Sequence, residues 1–569
     1  MKFPILKSIL SSLAKLNPLR AVLWSRFWLT NRWRQRTTID YVLLTLSADM
    51  PTIAEPRDWI RKRVLGPPPL SLTELDRMLE RIGNDPRPKG VILNLRALAM
   101  PLAGLQTLRN SLSCLQAKGK KIICFAQSYS NGLYYLASIA DEIILQPGGE
   151  LETIGLRAEA TFLKDALDTV GVALDSIAIS PYKAAFDQFS RSEISPEGQA
   201  QLDWLLDSQF DMLLHTIADG RKMSHEAVRA MIDHAPYLDE EALAAGYVDA
   251  VETEEALHRR LASKHILPLH AADKKLLKIW RKSSDKYVAL INISGLMVQG
   301  ESGSPPIELP VPFVGGQRAG DLTVVQHVRR LMQDNQAAAV ILYINSGGGS
   351  AIAAEAMTSA LAELAQDRPL VAFMDRIAAS GGYYVATPAQ WIVAQPATIT
   401  GSIGVISAKA VTTGLFGKLR VNRREFTRGT NAALMSDHAP FSDAQRARMF
   451  KTIDHIYQQF IGHVARSRKL SIEQVDAVGG GRVWTGTQAL ANGLVNELGD
   501  LRTALQKARE LANLPDHAPL VLVGGKGKPL PAKLAEQANP ATIWQYLHEN
   551  VQLVSSGTPL MMMDLDINI

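Results

Sequence analysis

Cysteine is nearly missing from this 569-residue sequence. The two present, Cys114 and Cys124, fall in apolar stretches, one helix-like and one strand-like. A disulfide framework and a CxxC redox or metal site are both excluded. Two cysteines leave the redox compartment open. Histidines are scattered, with no HExxH pattern, which argues against a metal enzyme; no cofactor and no metal are expected. A strong charge of one sign is lacking too. The net charge of +5 is small for this length, and no zinc-finger, RNP or P-loop pattern is present, so nucleic acid is not an expected partner. Long hydrophobic runs are also lacking at the start of the chain. No run there approaches the roughly 18 apolar residues of a spanning helix, and Lys7 and Lys15 interrupt any signal-peptide core.

What is present is a globular composition, 47% apolar and 21% charged, in a chain too long for one core. Residues 1–36 hold eight basic residues, among them Lys2, Arg20 and Arg36, and no acid. Ile5, Leu6, Ile9, Leu10, Leu13 and Leu16 recur at helical spacing, and Trp24, Phe27, Trp28 and Trp33 follow. A basic, Trp-rich amphipathic segment suits the plane of a membrane interface. Two other readings are a helix packed on its own domain and an organelle transit peptide.

The chain repeats itself with a period of about 248 residues. Tyr134–Gly155 (YYLASIADEIILQPGGELETIG) aligns without a gap on Tyr383–Gly404 (YYVATPAQWIVAQPATITGSIG), with nine identical positions. GVILNLR from Gly90 answers AVILYIN from Ala339, DYVLLTL from Asp40 answers KYVALIN from Lys286, and EEALAAGYVDAVET from Glu240 answers TQALANGLVNELGD from Thr487. The period is domain-sized, so these are two copies of one domain. In each, short β-branched runs alternate with helical patterns, which predicts βαβ units and a mostly parallel sheet. The expected division is a basic segment at 1–38, a first domain at 39–275, a second at 276–515, and an arm at 516–569.

The differences between the copies point to chemistry. After AVILYIN the second copy has SGGGS at 346–350, where the first has ALAMP at 97–101. Successive glycines let backbone N–H groups face a ligand or a developing negative charge. The second copy then reads AASGGYY around Ser380, and the first reads SYSNGLYY, with Ser130 one residue farther from the paired tyrosines. A serine nucleophile at a strand-to-helix turn needs an exposed Oγ and the next N–H aimed at the oxyanion. The asymmetry reverses at Lys183, in YKAAFDQFSRSEISPEG, for which the second copy has Asn431. One copy offers a serine and a glycine loop, the other a lysine among apolar neighbours. Such complementary loss fits a composite site at a domain interface.

Together, YKAAFDQFSRSEISPEG, NSGGGS, AASGGYY, TGSIGVI and GRVWTGTQALANGLVNELGD resemble the long, duplicated form of the bacterial signal peptide peptidase A (protease IV) family, over residues from about 40 to about 515. The resemblance implies an α/β fold, two tandem crotonase/Clp-protease-like domains with helical extensions. It implies a serine endopeptidase with a Ser–Lys dyad: Ser380 as nucleophile, Lys183 as general base, Ser402 of TGSIG orienting the lysine, and Gly381 with Gly348 or Gly349 as oxyanion donors. It implies signal peptides and other hydrophobic or membrane-derived polypeptides as substrates, a homotetramer, and the periplasmic face of the bacterial inner membrane. Alternatives are an inactive scaffold of the same fold and a crotonase-like acyl-CoA enzyme. Two departures stand out: there is no clear spanning helix, and Gly347 stands where the family usually has proline, which frees the oxyanion loop at that position.

Overall fold

The computed structural model describes residues 18–47, 49–54, 63, 66, 68–96, 98–280, 284–303, 316–524 and 560–562. Residues 1–17 of the expected interfacial segment, Ala97 of ALAMP, and 525–559 and 563–569 of the expected arm lie outside the described residues.

The main strands of the first half are β1 (Tyr41–Leu46), β2 (Gly90–Leu95), β3 (Lys121–Ala126), β4 (Glu142–Leu145), β5 (Ala173–Ala178), β6 (Ala250–Val251) and β7 (Ile266–Pro268). Its main helices are α1 (Pro18–Arg34), α2 (Leu72–Asn84), α3 (Leu102–Gln116), α4 (Asn131–Ala137) and α5 (Pro196–Arg221). The second half has β8 (Tyr287–Ser294), β9 (Leu296–Val298), β10 (Arg318–Gly320), β11 (Ala337–Ser346), β12 (Gly348–Ser350), β13 (Leu370–Ala379), β14 (Trp391–Ala394), β15 (Ile399–Gly401), β16 (Ile406–Val411), β17 (Val483–Thr485), β18 (Glu497–Leu498) and β19 (Leu520–Leu522). Its helices include α6 (Asp321–Met332), α7 (Ala351–Asp367), α8 (Gly381–Tyr384), α9 (Asp443–Arg468) and α10 (Leu501–Leu511), and a last strand, β20, spans Leu560–Met562.

The duplication is visible in the sheets. β1, β2, β3 and β4 are parallel neighbours in that order, and β8, β11, β13 and β14 repeat it. Between these strands lie α2, α3 and α4 in the first half and, at the corresponding places in the second, α6, α7 and α8. β2 is buried along its whole length, GVILNL, as a strand covered on both faces requires. Helix starts are marked in the sequence: Ser71 and Glu74 form a capping box on α2, and Ser442 and Gln445 form one on α9. The equivalent helices α5 and α9 are both 26 residues long.

A third sheet joins the halves. Its order is β10-β9-β12-β20-β16-β5, and β5 of the first half pairs antiparallel with β16 of the second, from Ala173↔Val411 to Ala178↔Ile406. A buried polar cluster adds a second tie. Asp375, in the middle of β13, accepts from Thr52 Oγ1 at 3.0 and 2.9 Å, from Tyr343 OH at 2.5 Å and from Gln395 Nε2 at 3.1 Å, and Thr107 Oγ1 donates to Gln395 Oε1 at 2.9 Å. Thr52 and Thr107 come from the first half. A third tie is aromatic: Trp204 of α5 stacks on Trp484 of β17 with centroids 5.0 Å apart, and its Nε1 donates to Val483 O at 2.8 Å. These ties fix β13, which leads into Ser380, against the half that carries Lys183.

Candidate active site

β13 stops at Ala379 and α8 starts at Gly381, so Ser380 is the turn between strand and helix. Its backbone has φ 56° and ψ −116°, a region that non-glycine residues seldom occupy, and its side chain makes no capping bond to α8. Its N–H donates to Gly401 O at 2.9 Å. The counterpart Ser130 behaves as an ordinary helix cap, with φ −72° and its Oγ accepting from Leu133 N. The extra residue before the tyrosines gives Ser130 room for that cap, whereas the shorter turn at Ser380 leaves the hydroxyl aimed elsewhere.

It is aimed at Lys183. The loop after β5 folds back so that Lys183 N donates to Ser180 O at 3.1 Å, and Ser180 Oγ donates to Gly480 O of the second half. The side chain then reaches between the halves. Lys183 Nζ lies 2.6 Å from Ser380 Oγ, 2.9 Å from Ser402 Oγ and 2.9 Å from Ser402 O. Lys183 is 2% exposed and Ser380 is fully buried. Ser402 also has positive φ, 48°, and its N–H is held by Arg482 O at 2.6 Å.

The glycine strand β12 borders the same spot. Gly348 and Gly349 have φ 104° and 150°, and Gly347 is not among the positive-φ glycines, so the loop uses its freedom one and two residues after the position where the resemblance expects proline. A Cβ on Gly349 would stand 2.2 Å from Met297 O, and one on Gly381 would stand 3.1 Å from Gly348 Cα. No residue of ALAMP type fits there. Gly348 N–H donates to Ser346 Oγ at 3.1 Å, and Ser346 Oγ donates to Gly295 O at 2.6 Å. Gly381 N–H, at the open start of α8, has no acceptor among the described residues.

The pattern of peptidase family S49 matches residues 115–267 and again 362–515. The chain belongs to peptidase family S49. It is a serine peptidase, and the two matches fall one on each copy of the repeat. This S49 chain is 29% identical to Protease 4 of Haemophilus influenzae over 462 residues, 76% of this chain and 72% of that protein. It is 29% identical to the chloroplastic serine protease SPPA of Arabidopsis thaliana over 465 residues, 80% and 68% respectively. Protease 4 of Salmonella typhi is 29% identical over 477 residues, 78% and 72%.

In the S49 chain the amine sits in a dry setting. Burial holds Lys183 well below the ordinary lysine value of 10.5. It has no acidic partner to oppose that, since its three hydrogen-bond partners are hydroxyls and a carbonyl. Beside it opens a cavity of about 340 Å³ whose wall is mixed: Phe162, Tyr182, Ile194 and Leu202 give it an apolar part, and Glu159, Asp187 and Gln188 a polar one.

Sequence reasoning missed several residues that hold this geometry. Gly481, with φ 95°, packs on Lys183 so tightly that a Cβ would lie 2.7 Å from the lysine Cα. Gly401 accepts the Ser380 N–H, and Arg482 holds Ser402. The run of three glycines at 479–481 was the available signal. Its partner, however, lies some 300 positions away, as the Ser180–Gly480 bond shows.

Proposed function

We propose that this S49 peptidase works through a Ser–Lys dyad completed across its two halves: Ser380 Oγ as nucleophile, Lys183 as general base and Ser402 as the residue that orients the amine. The observation that carries the reading is the 2.6 Å contact between Lys183 Nζ and Ser380 Oγ at a buried, acid-free site. A neutral amine takes the hydroxyl proton as Oγ adds to the scissile carbonyl. The Gly381 N–H and a donor from the Gly348–Gly349 strand receive the oxyanion. Collapse breaks the C–N bond, with the Lys183 proton going to the leaving amine. Water, activated by the same lysine, then frees the acyl group from Ser380.

The proposed substrates are cleaved signal peptides and other hydrophobic, membrane-derived polypeptides, the class that the relatives' names and the apolar part of the cavity wall, Phe162, Tyr182, Ile194 and Leu202, support. The exposed aromatics of α1, Trp24, Trp28 and Trp33, suit a bilayer interface. Near them a pocket of about 550 Å³ gathers Arg34, Arg77, Arg81, Lys274 and Lys278 around a single Asp273, a charge balance that suits anionic headgroups. Among the described residues no helix is long and apolar enough to cross a membrane. Association in this reading is therefore interfacial, on the periplasmic face of the inner membrane, with a homotetramer as the working assembly.

The test is labelling by a serine-directed fluorophosphonate together with hydrolysis of a hydrophobic peptide. Wild type should label at Ser380 and turn over. Ser380→Ala and Lys183→Ala should remain folded and lose activity by about 10³-fold or more. Wild-type turnover by Lys183→Ala would end the dyad reading. Co-sedimentation with phosphatidylglycerol vesicles but not with phosphatidylcholine vesicles checks the membrane contact, and sedimentation velocity checks the tetramer.

A further inference from the structure

Arg482 reaches Ser402 with its main chain and the Lys183 loop with its side chain. It lies between the glycine turn at 479–481 and β17. Its carbonyl accepts from Ser402 N–H at 2.6 Å, and Ser402 Oγ in turn meets Lys183 Nζ at 2.9 Å. Its guanidinium goes the other way. Nη1 donates to Gly479 O at 3.0 Å, and Cζ stands 4.1 Å from the ring centre of Tyr182, the residue before Lys183. A planar guanidinium suits an aromatic face, and the attraction grows where water is kept out. Among the described residues no carboxylate pairs with Arg482, so the ring and the carbonyl are what its charge meets. Tyr182 has a second aromatic neighbour, since its ring lies 5.9 Å from that of Trp204, and Trp204 stacks on Trp484. The row Arg482–Tyr182–Trp204–Trp484 thus takes its middle members from the first half and its ends from the second.

Comparison of the two copies singles out the same pair. In the alignment of EEALAAGYVDAVET on TQALANGLVNELGD, Ala235 falls opposite Arg482. In the alignment that sets Asn431 against Lys183, Thr430 falls opposite Tyr182. The arginine is therefore present only in the copy with Ser380, and the tyrosine only in the copy with Lys183. Ser130, in the copy without the arginine, is an ordinary helix cap. A contact that the shared fold required would recur in both copies. This one is kept where an amine has to be set against a hydroxyl.

We propose that Arg482 is a positioning residue for the reaction: seated on Tyr182, its side chain clamps the Lys183 loop to the turn whose carbonyl holds Ser402, and so sets amine, orienting hydroxyl and nucleophile in one arrangement. Two contacts of the same turn work with it. Ser180 Oγ donates to Gly480 O, and Gly480 N–H donates to Tyr457 OH at 3.0 Å. The clamp also keeps the amine dry. The titratable and charged groups around Lys183 are Tyr182 beside it, Arg482 over Tyr182, and Glu159 and Asp187 on the cavity wall. None of them hydrogen-bonds the amine, and burial is what holds it below 10.5. A loosened loop admits water and lets that value climb back. This inference rests on the Ser–Lys reading and adds to it the residue that aligns the pair.

The test uses the full chain, keeps the carbonyl and removes the clamp. Arg482→Met leaves the main-chain bond to Ser402 and takes away the charge. Tyr182→Leu takes away the ring, and Tyr182→Phe, the conservative variant, keeps it. With a hydrophobic fluorogenic peptide, Arg482→Met and Tyr182→Leu are each expected to lower kcat by about 10²-fold, the scale of a misplacement of about 1 Å, with little change in KM. The double variant should lose little more than either single one, because the two residues form one contact. Tyr182→Phe should hold kcat within about threefold of wild type. In Arg482→Met the rising limb of kcat/KM against pH should move up by about one unit. A side chain that merely supported the fold would change the amount of active protein and leave that limb in place. Wild-type kcat in Arg482→Met, or losses that add in full in the double variant with the limb unmoved, would overturn the proposal and leave the Ser–Lys reading standing. Wild-type turnover by Lys183→Ala would instead remove the reading on which the proposal rests.

Discussion

Gly481 and Lys183 touch backbone to backbone: a Cβ added to the glycine would lie 2.7 Å from the lysine Cα, Cβ and N. The positive φ of Gly481, 95°, bars a side chain a second time. Gly481→Ala is expected to lift the Lys183 loop off the second half and open the 2.6 Å contact with Ser380. A shift of about 1 Å at a catalytic group costs roughly 10²-fold, so kcat should fall by about that factor while KM changes little. Steady-state kinetics on a hydrophobic peptide decides it; wild-type kcat would show that the loop position is not critical.

The pH profile follows from how Lys183 is buried. Its value is held well below 10.5 by loss of water around the amine, and only the neutral amine accepts a proton. The rate kcat/KM should therefore rise with pH through that lowered value and reach its plateau well before pH 10.5. A limb centred near that of free lysine would contradict the buried-amine geometry.

The same burial has a stability cost with a definite sign. A lysine with a lowered folded value binds fewer protons when folded than when unfolded, over the window between that value and 10.5. The cost is absent above 10.5, grows as pH falls through the window, and is complete below the lowered value. Lys183→Met should thus be inactive yet melt higher than wild type at neutral pH, with the difference shrinking as pH approaches 10.5. Calorimetry at pH 7 and pH 10 checks both statements, and a lower melting temperature at pH 7 would refute them.

Thr52→Val should weaken the tie between the halves. Thr52 Oγ1 donates to both oxygens of Asp375, which is fully buried and whose carboxyl is pushed upward by that burial. Leaving a buried carboxylate one donor short costs about 1–3 kcal/mol. Urea unfolding should register that loss, and kcat should fall as well because β13 carries Ser380. Unchanged stability would mean that Tyr343 and Gln395 satisfy Asp375 alone.

Much of this was legible in the sequence because duplication supplied an internal comparison. GVILNLR and AVILYIN do form equivalent parallel strands, and SYSNG against AASGG does separate an ordinary helix cap from a strained serine. Lys183 stood out for its apolar neighbours and for having Asn431 in its place in the second copy. Gly481, Arg482, Thr52 and Asp375 stayed hidden for a shared reason. Each acts by touching something far away in the chain, and nothing in the local pattern of a glycine run or a strand aspartate names the distant partner. The strand at 560–562 was hidden for another reason: its pairing is main chain to main chain, which leaves little trace in side-chain identity.

The pairing of β5 with β16 also sets an order of events during synthesis. Lys183 emerges 197 residues before Ser380, and the groups that fix Ser402 and the lysine loop, Arg482 and Gly481, come about 100 residues later still. In terms of the proposed dyad, a growing chain carries the amine before its hydroxyl partner, then the hydroxyl with its support unfinished. On the proposed mechanism, cutting power would arrive only after nearly all of both copies has been made, which would spare the chain's own unfolded length while it is being built.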